Sequence, residues 1–211
     1  MLTPLIPVKR LADAKSRLAP DLDPVRRRLL ATAMLDDVLA AVTGTDGLAR
    51  AVVVSPDREV WRRAEAHGAR VVEEPDTAGN DLNASLAGAA AGIEGGVLVV
   101  ASDLPLATPE ALGRVAAALA AAPVAVVPSR DGAGTNVLGW AGAAGFAPAF
   151  GPGSAARHLA VPGAVRLDEP GLAHDADTAA DLRDMLPLLD PDGVTGRRVR
   201  DLKLAELLGA G

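Results

Sequence analysis

Val97-Leu98-Val99-Val100 is apolar at every position, and the run continues as Ala101-Ser102-Asp103-Leu104-Pro105. A strand without polar alternation is buried on both faces, the condition of a mostly parallel sheet covered by helices. Four more apolar runs, each closed by polar, Pro or Gly residues, read as strands: Leu2 to Val8, Ala51 to Ser55, Ala69 to Glu73 and Val124 to Pro128. Helical spacing fills the intervals over Pro24 to Val42, Arg58 to His67 and Asn83 to Gly92. Thr108-Pro109-Glu110 opens another helix, with Thr108 as N-cap and Pro109 at the first helical position. Strands alternating with helices in this way predict an α/β, Rossmann-like fold with a mostly parallel central sheet flanked by helices.

The last third is less regular. Asp131-Gly132 and Gly134 make a turn, Asn136 to Trp140 reads as a strand, and Phe146 to Ser154 as a loop before a helix from Ala155. Asp177 to Leu186 has helical character, and the turn Asp190-Pro191-Asp192-Gly193 leads into a basic stretch and a short final helix. No repeat or long linker divides the 211 residues, so one domain over residues 1–211 is expected.

A formal net charge of -6 argues against general affinity for nucleic acid or anionic membrane, since both need a basic surface. Aromatic residues at 2% also leave few platforms for base stacking. The absence of cysteine excludes disulfides, thiol catalysis and cysteine metal sites. Pro4 and Pro7 interrupt the N-terminal apolar stretch, and Lys9 and Arg10 follow it rather than precede it, unlike a signal peptide. A cytoplasmic protein is expected, and monomer and homo-oligomer both stay open.

Asp103 closes the fully apolar strand, and ligands of open α/β sheets bind outside the carboxyl ends of strands. A carboxylate there can hold Mg²⁺, which shares oxygen ligands with substrate phosphates; a turn or N-cap Asp is the equal alternative. A second acidic group, His174-Asp175-Ala176-Asp177-Thr178, precedes a helix that Asp177 or Thr178 could cap, and it could equally complete a metal site. His174 reads as a surface or packing residue. Lys9, Arg10, Lys15 and Arg17 follow the first strand, in a loop that could cradle a triphosphate or simply be a solvated charge run. It has no Gly-Lys-Ser/Thr, so a P-loop is not supported. Gly132-Ala133-Gly134-Thr135-Asn136 and Gly151-Pro152-Gly153-Ser154 have the chemistry of anion sites, the second leading into a helix N-terminus. Turn glycines and Ser154 as N-cap account for either one alone.

In order along the chain, these pieces resemble the guanylyltransferase family of coenzyme F-420 biosynthesis. The likeness rests on Pro7-Val8-Lys9 with Ala14 to Leu18, Asn80 to Leu86, Ser102 to Pro105, Gly132 to Asn136, Phe150 to Ser154, and Asp175 to Thr178. The resemblance implies a single nucleotidyltransferase domain that transfers GMP from GTP to the phosphate of a small phosphorylated carboxylic acid. Pyrophosphate is released, and the acceptor stays open among phosphoenolpyruvate, 2-phospho-L-lactate and 3-phosphoglycerate, with the Ala- and Arg-rich composition favouring phosphoenolpyruvate. It further implies Mg²⁺ on Asp103 and on Asp175 or Asp177, nucleotide contacts at Asn80, Leu82, Asn83 and Ser85, and the acceptor phosphate at Thr135, Gly151 and Ser154. Lys9, Lys15 and Arg17 are candidates for the triphosphate. Asp175-Ala176-Asp177-Thr178-Ala179 has Ala where related sequences often carry a bulky apolar residue and Pro, so both aspartates remain candidates. The alternatives are another nucleotidyltransferase, cytidylyl or sugar-phosphate, and a non-catalytic nucleotide- or phosphometabolite-binding protein. The first lacks its usual Gly-x-Gly-x-Arg signature here, and two separated acidic clusters disfavour the second.

Overall fold

The computed structural model describes residues 1–73 and 81–209, so Asn80 lies outside the described residues. In chain order the strands are β1 (Leu2–Pro7), β2 (Val52–Ser55), β3 (Arg70–Glu73), β4 (Gly96–Val100), β5 (Val124–Pro128), β6 (Thr135–Trp140) and β7 (Val165–Arg166). The α-helices are α1 (Pro24–Thr43), α2 (Arg58–Ala66), α3 (Leu82–Ala90), α4 (Pro109–Ala118), α5 (Ser154–Leu159), α6 (Pro170–Ala173), α7 (Ala179–Met185), α8 (Val194–Asp201) and α9 (Leu204–Leu207). The loop after β1 holds two short 3-10 turns, Leu11–Asp13 and Ser16–Leu18.

Among the described residues one sheet forms in the order β3-β2-β1-β4-β6-β5-β7. All neighbours are parallel except β6, which runs antiparallel to β4 and β5. Period-two geometry turns each apolar strand into two half-cores. Leu98 and Val100 join Ile6 and Val53 against Leu35, Leu39 and Val42 of α1 and Leu112 of α4. Val97 and Val99 join Leu5 and Val54 on the opposite face with Leu86 of α3. A third cluster packs Met34 of α1 against Leu182 of α7, Val199 of α8 and Leu204 of α9. No helix among the described residues is long and apolar enough to cross a membrane.

Thr108 caps α4 as expected, its hydroxyl accepting from Ala111 N at 3.2 Å. The basic stretch after Gly193 is itself helical. Its first turn is capped from afar, since Asp37 of α1 accepts from Val194 N at 3.0 Å and from Thr195 N at 2.8 Å. The antiparallel β6 matters most for the site. It pairs Val137 with Val100, and Ala101 N donates to Asn136 O at 2.9 Å, so the start of β6 lies beside the carboxyl end of β4.

Candidate active site

Three separate stretches converge at that edge: the loop after β1, the segment after β4 and the extended chain before α7. Lys15 sits in the left-handed region at φ 54°, ψ 41°, a conformation that costs a non-glycine residue on the order of 1 kcal/mol. This backbone accompanies an ammonium Nζ that lies 2.5 Å from Asp103 Oδ2 and 3.1 Å from Asp177 Oδ1. The Lys15 side chain is only 6% exposed. Burial disfavours its charge, but the facing carboxylates of Asp103 and Asp177 outweigh that and hold its pKa above the ordinary 10.5. Arg17 NH1 reaches the other oxygen of Asp177 at 3.1 Å from an exposed position.

Lys9, Lys15, Arg17, Leu82, Ser85, Asp103 and Asp177 all border a cleft of about 430 Å³. Lys9 stands exposed at its margin. The ambiguity over the second acidic group resolves in part. Thr178 is the N-cap of α7, in a reciprocal capping box with Asp181, so Asp177 has no capping role and its carboxylate turns to Lys15 and Arg17. Asp175 accepts instead from Asn136 Nδ2 at 3.3 Å. Burial and then the negative charge of Asp103 raise the Asp175 pKa above its ordinary value, against the Asn136 hydrogen bond. The buried Ala176 between the two aspartates anchors the segment in the core.

This donor set suits a hard divalent cation. No group of three or more His, Asp or Glu among the described residues forms a metal cage. Mg²⁺ seldom uses one: it takes one or two carboxylates and completes its shell with water and substrate phosphate. Asp103 and Asp177, whose carboxylates meet at the Lys15 ammonium, are the two that could serve such an ion.

Thr135, Gly151 and Ser154 do not border this cleft; they form a cluster of their own. Ser154 Oγ lies 3.1 Å from Thr135 Oγ1, and Thr135 Oγ1 lies 2.9 Å from His158 Nδ1. Ser154 is not the helix cap: Gly153 is, with φ 72°, and Ser154 is the first helical residue. Gly151 has φ 119°, a region open to glycine, and its carbonyl accepts from Ser154 N at 3.0 Å. Arg157 secures the loop by donating to Ala149 O at 3.1 and 2.8 Å and to Pro152 O at 2.6 Å. From the far side, Asn83 Oδ1 accepts from Phe150 N at 2.7 Å while Asn83 Nδ2 donates to Phe150 O at 3.2 Å. The Asn83 amide is thus bonded to the loop carrying Gly151. Leu82 and Ser85, on the same helix, face the cleft.

His158 and Arg157 were not among the residues expected from sequence, nor was the side chain of Asn136. One signal for His158 exists: it is four positions after Ser154, the spacing that places two side chains on one helical face. Its contact with Thr135 spans a loop and a strand and has no local signature.

Residues 2–185 match the family described as Guanylyl transferase CofC like. A phosphoenolpyruvate guanylyltransferase of Nocardia farcinica is 46% identical over 186 residues, covering 84% of this chain and 82% of that one. A Streptomyces coelicolor protein of the same name is 42% identical over 194 residues, covering 88% and 90%. Among solved structures, a Desulfovibrio desulfuricans protein assigned to the nucleotide-diphospho-sugar transferases superposes with a TM-score of 0.76 at 17% identity, covering 100% and 98% of the two chains. A Methanothermobacter nucleotidyl transferase gives 0.64 at 22% identity, covering 88% and 95%. At these identities the structural likeness establishes the fold.

Proposed function

Because the chain belongs to the CofC-like guanylyl transferase family and is a nucleotidyltransferase, we propose that it transfers GMP from GTP to the phosphate of a three-carbon phospho-acid in coenzyme F-420 biosynthesis. Phosphoenolpyruvate is the preferred acceptor and 2-phospho-L-lactate the second. The observation that carries this reading is the Lys15 ammonium bridging Asp103 and Asp177 beside a cleft at the carboxyl edge of the sheet.

In the reaction an oxygen of the acceptor phosphate attacks the α-phosphorus of GTP. The bond from that phosphorus to the bridging oxygen of the β-phosphate breaks, and pyrophosphate leaves with the electron pair. The attacking phosphate is already anionic, so no general base is needed; the protein has to align it and offset charge repulsion. Mg²⁺ held by Asp103 and Asp177 would supply Lewis-acid polarisation and charge neutralisation at the α-phosphate.

Lys15 offers three N–H donors, of which two serve Asp103 and Asp177, leaving the third for the triphosphate. Lys9 and Arg17, at the margin of the cleft, would add positive charge toward the β- and γ-phosphates. Thr135, Gly151 and Ser154 would hold the acceptor phosphate, with Leu82 and Ser85 on the nucleotide side. Incubation with GTP, Mg²⁺ and each of phosphoenolpyruvate, 2-phospho-L-lactate and 3-phosphoglycerate, followed by pyrophosphate release, tests the reading. Silence with all three acids refutes it, and faster turnover with CTP than with GTP refutes the guanylyl assignment.

A further inference from the structure

His158 is 1% exposed and carries hydrogen bonds at both ring nitrogens. Ala149 N lies 3.0 Å from Nε2, and a backbone amide can only donate, so Nε2 bears no proton. Burial, with the charge of Arg157 behind it, pushes the imidazole pKa down to about 4, so the ring is neutral at pH 7. Its single proton therefore resides on Nδ1 and is donated to Thr135 Oγ1, 2.9 Å away. Phe150 fixes the ring from the side, edge to face at 5.0 Å between centroids.

The tautomer decides what the two neighbouring hydroxyls can do. Thr135 and Ser154 bring two protons, and their mutual bond at 3.1 Å consumes one. With Nδ1 as donor, His158 takes neither, and one hydroxyl proton is left over. In the opposite tautomer Nδ1 would accept from Thr135, Thr135 would accept from Ser154, and the network would close on itself. We infer that His158 is a positioning residue: fixed by Ala149 as the Nδ1–H tautomer, it holds the Thr135–Ser154 pair with one hydroxyl proton free to donate to the acceptor's phosphate. The inference rests on the proposed assignment of Thr135 and Ser154 to that phosphate.

Two measurements test it. The first is a long-range ¹H–¹⁵N spectrum of the ligand-free wild-type protein at pH 7. With three histidines in the chain, the His158→Asn variant assigns the ring signals. A protonated Nδ1 and bare Nε2 are expected; a protonated Nε2 or an imidazolium overturns the inference without any reference to turnover. The second compares His158→Asn with His158→Phe. Both remove the acceptor of Ala149 N–H, but only Asn retains a donor near the Nδ1 position. The acceptor KM should rise about tenfold in the Phe variant and stay within about threefold in the Asn variant, with the GTP KM unchanged in both; tenfold corresponds to one lost hydrogen bond. Equal effects of Asn and Phe, or a matching rise in the GTP KM, overturn it. If the wild type uses no phospho-acid at all, the proposed function fails, and the ring spectrum still decides the tautomer.

Discussion

Lys15 Nζ stands 2.5 Å from Asp103 Oδ2 although 88 positions separate the two residues, and the lysine side chain is nearly buried. Taking an ammonium out of water costs several kcal/mol unless partners compensate. Asp103 and Asp177 do so, with Arg17 on the second oxygen of Asp177, and together with Asp175 the carboxylates at this edge of the sheet still outnumber the two cations paired with them. An excess of oxygen donors beside a cleft suits a divalent cation and the phosphates it bridges.

Replacing Asp103 with Asn keeps the shape and removes the charge. We expect at least a thousandfold loss of pyrophosphate release, with an unchanged circular dichroism spectrum and a melting temperature within a few degrees of wild type. Substantial turnover in such a folded variant would remove Asp103 from the mechanism.

Lys15→Met should separate the two demands on this edge. Without the ammonium, Asp103 and Asp177 repel each other, and the metal-free protein should lose about 2 kcal/mol, or roughly 6 °C in melting temperature for a domain of this size. Added Mg²⁺ should restore more stability to this variant than it adds to wild type, because the carboxylates that faced Lys15 then have the metal as their counter-charge. A thermal-shift titration with and without Mg²⁺ reads the difference, and equal Mg²⁺ effects on the two proteins would contradict the shared site.

Asp175 and Asp177 should part company. Asp177 faces Lys15 and Arg17, whereas Asp175 is bonded to Asn136. Asp177→Asn is expected to raise the half-saturating Mg²⁺ concentration about tenfold. Asp175→Asn keeps an oxygen for Asn136 and relieves repulsion from Asp103, so its melting temperature should not fall and its Mg²⁺ dependence should shift less than threefold. The reverse ranking would assign the metal to Asp175.

What could be read from sequence follows from how local each cause is. Val97 to Val100 announced a doubly covered strand because burial on both faces erases alternation. Thr108-Pro109 announced α4 because its cap is built from adjacent residues. The α8 helix stayed hidden because its capping carboxylate belongs to Asp37, 157 positions before Val194. β7 has only two residues, too few for any period to show. Asp103, Asp177 and Thr135 were legible as residue types suited to metal and phosphate chemistry. That Lys15 would sit between the first two, and that His158 would stand behind the third, depends on contacts across the sheet edge which no local pattern encodes.

The buried neutral imidazole of His158 has a consequence for stability. Its pKa falls from the ordinary 6.5 in the unfolded chain to about 4 in the fold. Between those values the unfolded state binds a proton that the folded state refuses, so stability declines as pH falls through this window. The full effect is on the order of 3 kcal/mol. His158→Asn, which cannot titrate, should therefore lose less melting temperature than wild type between pH 7 and pH 4.5. Parallel curves for the two proteins would show that His158 is not held neutral.

Asn83 offers the sharpest division between the nucleotide and the acceptor. The family resemblance assigns it to nucleotide contacts, yet both ends of its amide are bonded to the backbone of Phe150, next to Gly151. Losing this reciprocal pair should loosen the loop that carries Gly151 and Ser154 and leave the Leu82 and Ser85 side of the cleft in place. Asn83→Ala is therefore expected to raise the acceptor KM about tenfold and the GTP KM less than threefold. Varying each substrate at saturating levels of the other measures both. If the GTP KM rises more, the amide acts on the nucleotide and its bonds to Phe150 are secondary.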